Sequence, residues 1–192
     1  MTVDLGTGDG RFVLAHAAGD RDRFVLGVDA SPDAMHDASR RAARSAARGG
    51  LPNARFVVSS IEALPVGFDG FADLVTVHFP WGSLRDTAAG RDPTATACVA
   101  RLVRPGGQLR LLMSSAERDG APDVDPDAVA AAYVPFGLRL AESWPATIDD
   151  AIAAHSSWGK RLLRRPAPGR VTWSFRLERP PARPCGRARI TS

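Results

Sequence analysis

The chain has 192 residues, of which 44% are hydrophobic, and a formal net charge of +4 at pH 7. This length and composition indicate one globular domain with a packed core and exclude a disordered chain. Two cysteines are too few for a disulfide framework or a zinc cage, and no apolar run approaches the roughly 20 residues of a membrane span. Since no charged-then-apolar leader opens the sequence, we expect a soluble cytoplasmic protein.

Apolar runs alternate with helical patterns through the first two-thirds of the chain. The pattern predicts strands over residues 2–5, 24–28, 54–59, 74–79 and 108–113, and helices over residues 11–18, 32–48 and 94–103. Strands and helices that alternate at this spacing are typical of a parallel sheet with right-handed crossovers.

The rhythm changes after residue 113. A polar loop over residues 114–127 leads into a predicted helix at 127–133, and a strand at 138–143, a helical stretch at 148–165 and a last strand at 170–177 follow. We expect residues 1–179 to form one domain and residues 180–192, which are rich in Pro, Arg and Gly, to form a disordered basic tail.

Charge is unevenly distributed along the chain. Residues 155–192 contain ten Lys or Arg and one acid, whereas the preceding 154 residues contain 15 basic and 20 acidic side chains. A basic C-terminal part on a mildly acidic body suggests a polyanionic partner that is met at one face.

A glycine-rich turn follows the first strand. Gly6, Gly8 and Gly10 alternate with other residues, and such glycines allow a tight turn and a close approach of a ligand to bare backbone. A dinucleotide fingerprint would require a third glycine at position 11, where this chain has Arg11. The Gly-x-Gly-x-Gly spacing fits S-adenosylmethionine better than a pyrophosphate.

Three carboxylates accompany this turn. Asp29 ends the second strand, where a carboxylate can accept both ribose hydroxyls of an adenosine, although a helix cap or a solvated strand end is an alternative. Asp4 precedes the turn and is costly to bury alone, so we expect it to hold the amides of the turn and to face the cofactor's ammonium group. Glu62 follows the third strand and either edges an adenine pocket or begins a helix.

Two tryptophans lie in unusual contexts. Trp81 follows Pro80 and precedes glycine at the end of the fourth strand, and Trp158 stands between serine and glycine at the head of the basic part. Because ligands bind at the carboxyl ends of strands in open α/β sheets, Trp81 is expected beside the cofactor. The pair suggests a flat aromatic substrate between two indoles, whereas the alternative is that each tryptophan is a core residue.

Three stretches, DLGTGDG at residues 4–10, FPWGSL at 79–84 and SSWGKRL at 156–162, together resemble the aminoglycoside-resistance 16S rRNA (adenine-N1) methyltransferases of the Kam/Npm type. The similarity runs from residue 3 to about residue 177. It implies a class I methyltransferase fold, an α/β architecture with a Rossmann-like, seven-stranded, mostly parallel sheet and helices on both faces. It further implies a monomer, without metal or membrane association, that acts on a decoding-site adenosine in helix 44 of 16S rRNA in the 30S subunit.

The resemblance also implies roles for individual residues. The cofactor-binding positions of the family correspond to Asp4, Gly6, Gly8, Asp29, Glu62 and Ser83. Trp81 and Trp158 correspond to the pair that stacks on the flipped adenine, with Pro80 and Ser156 shaping the reactive pocket. The rRNA-binding positions correspond to Arg40, Arg41, Arg44 and Arg161.

The helix predicted after Asp29 supports the rRNA-binding assignment. Arg40, Arg44 and Arg48 recur every four residues and would share one helical face, which either contacts phosphates or is simply solvated. Family members also carry a β-hairpin ahead of the first strand, to which no residue here corresponds. This difference is explained by a different start site, by a trimmed sequence or by a lineage without the hairpin. Because the hairpin helps family members to bind rRNA, its absence would affect rRNA affinity.

Adenine N1 has an in-plane lone pair and no proton, so its methylation requires no general base. The sequence HFPW at residues 78–81 lacks the Asn or Asp that N6-methylating enzymes place ahead of Pro-Pro-aromatic. Three alternatives remain open at this point: a methyltransferase for a small molecule, one for another RNA, and a non-catalytic rRNA-binding module.

Overall fold

The computed structural model describes residues 1–115, 124–165 and 169–182. In chain order its strands and helices are β1 (Thr2–Leu5), α1 (Arg11–Gly19), β2 (Val25–Asp29), α2 (Pro32–Ala42), β3 (Ala54–Val58), β4 (Ala72–His78), α3 (Gly82–Ala88), α4 (Pro93–Leu102), β5 (Val103–Ser115), α5 (Pro126–Tyr133), β6 (Arg139–Pro145), α6 (Ile148–Ala153), α7 (Ser157–Arg164) and β7 (Val171–Glu178). Short 3₁₀ turns occupy Ala46–Arg48, Val66–Phe68 and Val134–Phe136.

All seven strands belong to one sheet with the order β3-β2-β1-β4-β5-β7-β6. The pairs from β3 to β5 are parallel, and β7 runs antiparallel to both β5 and β6. The strand order reverses direction between β1 and β4, and ligands bind at such a switch point in open α/β sheets. The predicted mostly parallel sheet is therefore confirmed.

Helices cover both faces of the sheet. The larger core cluster joins β1, β4, β5 and β7 to α4 and α5, and a second cluster joins β2 to α1 and α2. In a third cluster, α6 and α7 pack on Phe79 and Leu112. Strands that are buried on both faces explain the continuous apolar runs in the sequence, such as the buried residues 25–28 of β2.

The helix predicted over residues 32–48 is wrong beyond residue 42, because α2 ends at Ala42. The chain folds back there, since the N–H of Leu51 donates to the Ala42 carbonyl at 2.9 Å. At Gly50, any Cβ would lie 1.7 Å from the Arg44 carbonyl oxygen, so this return requires glycine. Arg44 and Arg48 therefore do not share a helical face with Arg40.

The helical stretch predicted over residues 148–165 is confirmed as two helices, because His155, with φ of +51°, separates α6 from α7. Phe79, predicted as the end of a strand, lies outside β4 with φ of +49°. Helix α3 was not predicted. Of the proposed tail, residues 183–192 lie outside the described residues.

None of the helices in the described residues is both long and apolar enough to cross a lipid bilayer. Across those same ranges, no group of three or more His, Cys, Asp or Glu side chains is placed to hold a metal ion.

Candidate functional site

A cavity of about 360 Å³ opens at the carboxyl ends of the central strands, where the order reverses. Its lining comes from the turns after β1 to β4 and from α3, and comprises Gly6, Gly8, Val28, Asp29, Ala30, Ser59, Ser60, Ile61, Glu62, Phe79, Pro80, Trp81, Ser83, Leu84 and Thr87. The volume lies in the range of ~300–1,000 Å³ that is usual for small-molecule sites. Five of the six predicted cofactor residues line it.

The glycine turn forms one wall of the cavity. Gly6 and Gly8 have φ of +68° and +53°, in the left-handed region that favours glycine. A Cβ on Gly6 would approach Leu84 to 2.3 Å, whereas one on Gly8 would meet nothing within 4 Å. The turn thus depends on glycine for its backbone path and presents bare backbone to the cavity.

Asp29 links this turn to the start of α2. One carboxylate oxygen accepts from the N–H of Gly8 at 2.8 Å, and the other accepts from the N–H of Ser31 at 2.9 Å. Each oxygen of an ionised carboxylate accepts two hydrogen bonds, so both can still receive a ribose hydroxyl. The N-cap of α2 is Ser31, so the helix-cap interpretation of Asp29 is wrong, and the remaining lone pairs suit the cofactor interpretation.

Asp4 is placed differently from the expectation. Its carboxylate is 3% exposed and does not line the cavity; Oδ1 accepts from the Thr76 hydroxyl at 2.7 Å and lies 3.5 Å from Nδ1 of His78. Within the described part of the chain, no hydrogen bond joins it to an amide of the turn. The buried carboxylate is compensated by Thr76 and His78 of the neighbouring strand β4. The sequence alone does not show which strand lies beside β1, so it suggested the amides nearest in the chain.

Glu62, on the turn after β3, and Ser83, on α3, both line the cavity. Glu62 is exposed and lies in a turn at residues 61–64, so no helix begins at it. Its alternative reading as a helix-start acid is wrong.

Trp81 and Trp158 come together although they are 77 positions apart in the sequence. Their ring centroids are 4.9 Å apart with an interplanar angle of 68°, an edge-to-face contact. Trp81 is 57% exposed and Trp158 is half-buried. A base sandwiched between parallel rings requires about 7–8 Å, twice the optimal carbon–carbon separation, so in this arrangement the two rings touch with no gap between them.

Phe79 explains how the two tryptophan segments meet. Its ring contacts Trp158 edge-to-face at 5.6 Å, and the same ring lies so close to Gly159 that an added Cβ would be 2.1 Å away. With φ of +49°, Phe79 adopts a strained backbone conformation, which the surrounding packing must stabilise. Strained residues of this kind are concentrated at functional sites. Pro80 is buried next to Phe79 and lines the cavity.

Ser156 is the N-cap of α7, with its hydroxyl accepting from the N–H of Gly159 at 3.0 Å. The predicted pocket neighbour therefore holds the first turn of the helix that carries Trp158. Serine just before a helical segment is a recognisable N-cap signal, which the family-based assignment had overlooked.

The predicted rRNA-binding arginines are all exposed. Arg40 and Arg41 lie in the last turn of α2, Arg44 follows the end of that helix, and Arg161 lies on α7. They therefore occupy two separate segments, of which α7 also carries Trp158.

Sequence reasoning missed two arginines beside the tryptophans. Arg85 on α3 is 7% exposed and donates to the Ser114 carbonyl at 3.4 Å, while Arg170 donates to the Ser114 hydroxyl at 3.1 Å. Burial lowers the pKa of Arg85. Both line a small cleft together with Trp81 and Trp158. Because α3 itself was not predicted, no sequence signal placed Arg85 on its inner side.

The residues of the cavity fit S-adenosylmethionine. Apolar side chains such as Ile61 and Leu84 offer a surface for adenine, the free lone pairs of Asp29 suit a ribose, and the bare glycine backbone leaves room for the rest.

Comparison with known proteins gives a consistent picture. Residues 1–174 match the profile of the family described as NpmA, 16S rRNA (adenine(1408)-N(1))-methyltransferase. A protein of that name from Streptoalloteichus tenebrarius is 31% identical over 173 residues, which cover 84% of this chain and 80% of that protein. One from Escherichia coli is 38% identical over 82 residues, or 43% of this chain and only 37% of that protein.

A solved structure agrees with the fold. A mutant of the 16S rRNA (adenine(1408)-N(1))-methyltransferase from Catenulisporales acidiphilia, with cosubstrate SAM, superposes with a TM-score of 0.76 at 29% identity. The match covers 95% of this chain and 87% of that one.

Proposed function

Because the chain belongs to the family of 16S rRNA (adenine(1408)-N(1))-methyltransferases, we propose that it methylates N1 of one decoding-site adenosine of 16S rRNA within the assembled 30S subunit. The resemblance found in the sequence, the class I fold, the enzyme class and S-adenosylmethionine as cosubstrate are confirmed by these matches. Protection of the decoding site from aminoglycosides is the expected cellular outcome.

The observation that carries the proposal is the sharing of residues between two neighbouring spaces. Phe79, Pro80 and Trp81 line the cavity at the glycine turn, and they also line the cleft that contains Trp158. The two spaces therefore adjoin along residues 79–81, so that a methyl donor in the first would lie next to an aromatic substrate in the second.

The cofactor would be held by the residues that line the cavity. Gly6 and Gly8 would offer backbone, Asp29 would accept the ribose hydroxyls, and Glu62 and Ser83 would edge the remaining surface. Asp4 would act indirectly, because its hydrogen bond with Thr76 joins the carboxyl ends of β1 and β4 beneath the glycine turn. When bound, S-adenosylmethionine supplies an electrophilic sulfonium methyl group.

The tryptophan pair would bind the target base after it leaves its helix. Extrusion costs a few kcal/mol, and stacking on aromatic side chains returns about 1–3 kcal/mol per base. Since the rings now touch at 4.9 Å, they must separate by about 2–3 Å and turn toward parallel before a base can enter. The exposed Trp81 and the short helix α7 are the parts that would move.

Positioning accounts for the chemistry, since N1 attacks through its own lone pair. Methylation leaves a positive charge on the ring, which each indole face stabilises by roughly 0.5–2 kcal/mol. Holding the reactants in line contributes several kcal/mol more. We therefore assign no general base, and His78 with Asp4 is not used as one.

Contacts with rRNA phosphates would come from Arg40, Arg41 and Arg44 on one side and Arg161 on the other. All four are exposed, and arginine binds phosphate in a bidentate manner. Ser156 would contribute by capping the helix that presents both Trp158 and Arg161. We propose that the active form is a monomer and that it acts in the cytoplasm, where 30S subunits are found.

The test compares methyl transfer from labelled S-adenosylmethionine to isolated 30S subunits with transfer to naked rRNA and to a panel of small molecules. We expect incorporation into 30S subunits alone. Trp81→Ala and Trp158→Ala should abolish it while cofactor affinity, measured by calorimetry, stays nearly unchanged.

Two outcomes contradict the proposal. Transfer to a small molecule but not to 30S subunits would make the protein a small-molecule methyltransferase. RNA binding without any calorimetric cofactor binding would make it a non-catalytic module. In cells, expression should raise resistance to kanamycin and apramycin, and unchanged sensitivity with soluble protein present would count against the cellular role.

A further inference from the structure

The first turn of α1 directly follows the glycine turn and contacts the segments that carry both tryptophans. Arg11 is the first residue of α1, and its Nη1 donates to the hydroxyl of Ser157, 146 positions away. Ser157 opens α7 and immediately precedes Trp158. The glycine turn and the helix of Trp158 are therefore joined by one side chain.

Arg11 is also tied to the glycine turn itself. Its Nε lies 3.1 Å from Oδ2 of Asp9, and its backbone N–H donates to Oδ1 of the same carboxylate at 3.2 Å. Asp9 lies between Gly8, which lines the cavity, and Gly10, which caps α1. A change in the path of the turn would thus displace the guanidinium that reaches Ser157.

The next residue makes the corresponding contact on the Trp81 side. The ring of Phe12 meets the ring of His78 edge-to-face, with centroids 4.7 Å apart. His78 ends β4 and is followed by Phe79, Pro80 and Trp81. Successive residues of one helical turn therefore touch the two segments whose tryptophans must separate.

We propose that Arg11 is a positioning residue that couples cofactor binding at the glycine turn to the placement of Trp158, with Phe12 as the second contact of the same turn. The inference rests on the proposed function and extends it. A cofactor that orders residues 6–10 fixes Asp9, Asp9 orients Arg11, and Arg11 sets where α7 begins. The enzyme then prepares its base-binding surface in response to the donor, and the cofactor raises affinity for the 30S subunit.

The experiment measures 30S affinity with and without saturating S-adenosylhomocysteine, the demethylated cofactor, so that no turnover occurs. For the unmodified protein we expect the cofactor to tighten 30S binding at least about fivefold, the lower end of typical coupling between sites. Arg11→Ala and Ser157→Ala should each reduce that factor to near one, and the double variant should be no worse than either single variant. Arg11→Lys, which keeps a donor, should retain part of the coupling.

The matched control is Arg23→Ala, which also removes an arginine, here a partly exposed one, from an ion pair with an aspartate near α1, at Asp20. Its coupling factor should equal that of the unmodified protein. Since Arg11 is exposed, its variants are expected to fold, and a thermal melt within a few degrees verifies this.

Three results would overturn the inference. In the first, Arg11→Ala weakens 30S binding equally with and without cofactor and lowers the slope of log K against log salt concentration by about 0.7–0.9, the value for one phosphate contact; Arg11 is then an rRNA ligand instead. If the unmodified protein binds and methylates 30S subunits without coupling, or if the variants keep the coupling, Arg11 does not position Trp158. If the unmodified protein does not methylate 30S subunits at all, the proposed function fails first and the inference with it.

Discussion

Gly159→Ala is the substitution whose effect on activity and on stability should diverge most. Gly159 lies in α7, where alanine is ordinarily favoured over glycine by about 1 kcal/mol. Here the added Cβ would lie 2.1 Å from Cε2 of Phe79, so that ring and helix must part by about 1.3 Å to reach the 3.4 Å of ordinary contact. Overpacking of this kind costs about 1–3 kcal/mol, which leaves a net loss of about 0–2 kcal/mol.

The catalytic effect should be larger, because the displaced helix carries Trp158. A misplacement of about 1 Å in a binding surface can lower the rate about 100-fold. We therefore expect kcat for 30S methylation to fall by about that factor, while the melting temperature falls by less than about 8 °C and cofactor affinity is unchanged.

Gly19→Ala is the matched control, since this residue ends α1, has no atom within 4 Å of an added Cβ, and lies far from the tryptophans. It should leave methylation unchanged and alter stability by no more than about 1 kcal/mol. If Gly159→Ala retains activity within about threefold of the unmodified protein, the close fit of Phe79 and α7 does not position Trp158 and the reasoning is wrong.

Three further predictions follow from single groups. Asp29→Asn should weaken cofactor binding about tenfold or more in calorimetry, because an amide cannot accept from both the Gly8 and Ser31 N–H groups; affinity within twofold would contradict this. Burial and, after it, the charge of Arg23 lower the pKa of His16 in the folded protein. As the pH drops below about 6.5, the unfolded chain therefore binds this proton before the folded protein does, and the free energy of unfolding should fall. His16→Gln should flatten that dependence in urea titrations between pH 7.5 and 5.5, and an unchanged slope would refute the assignment. Arg44→Gln should reduce the slope of log K for 30S binding against log salt concentration by about 0.7–0.9, the value for one phosphate contact. Arg139→Gln, at the opposite edge of the sheet, should leave that slope unchanged. Equal slopes for the two variants would show that Arg44 does not contact rRNA.

Local patterns predicted the strands well because their sequence signal is the burial they create. Residues 2–5 are all buried, and β1 was predicted with its observed bounds. The glycine turn and Asp29 were also predicted from the sequence. Backbone with positive φ favours glycine, and a carboxylate at the end of a strand is visible as an aspartate after an apolar run.

The failures share a different cause, namely dependence on distant atoms. Helix α2 ends because Leu51 returns to the Ala42 carbonyl, and the helical stretch at 148–165 breaks at a left-handed His155, neither of which periodicity reveals. Asp4 pairs with Thr76 on a strand 72 positions away. The closed contact between the tryptophans likewise depends on how Phe79 packs on Gly159, and helical spacing carries no information about it.

Primer extension on treated 30S subunits tests the central claim most directly, because a methyl group on N1 blocks Watson–Crick pairing and halts reverse transcriptase. With protein and S-adenosylmethionine, we expect one new stop, at the decoding-site adenosine numbered 1408 in the family name. No stop should form without the cofactor or with Trp158→Ala. A stop at another nucleotide, or methyl incorporation into 30S subunits with no stop, would contradict N1 methylation of that adenosine.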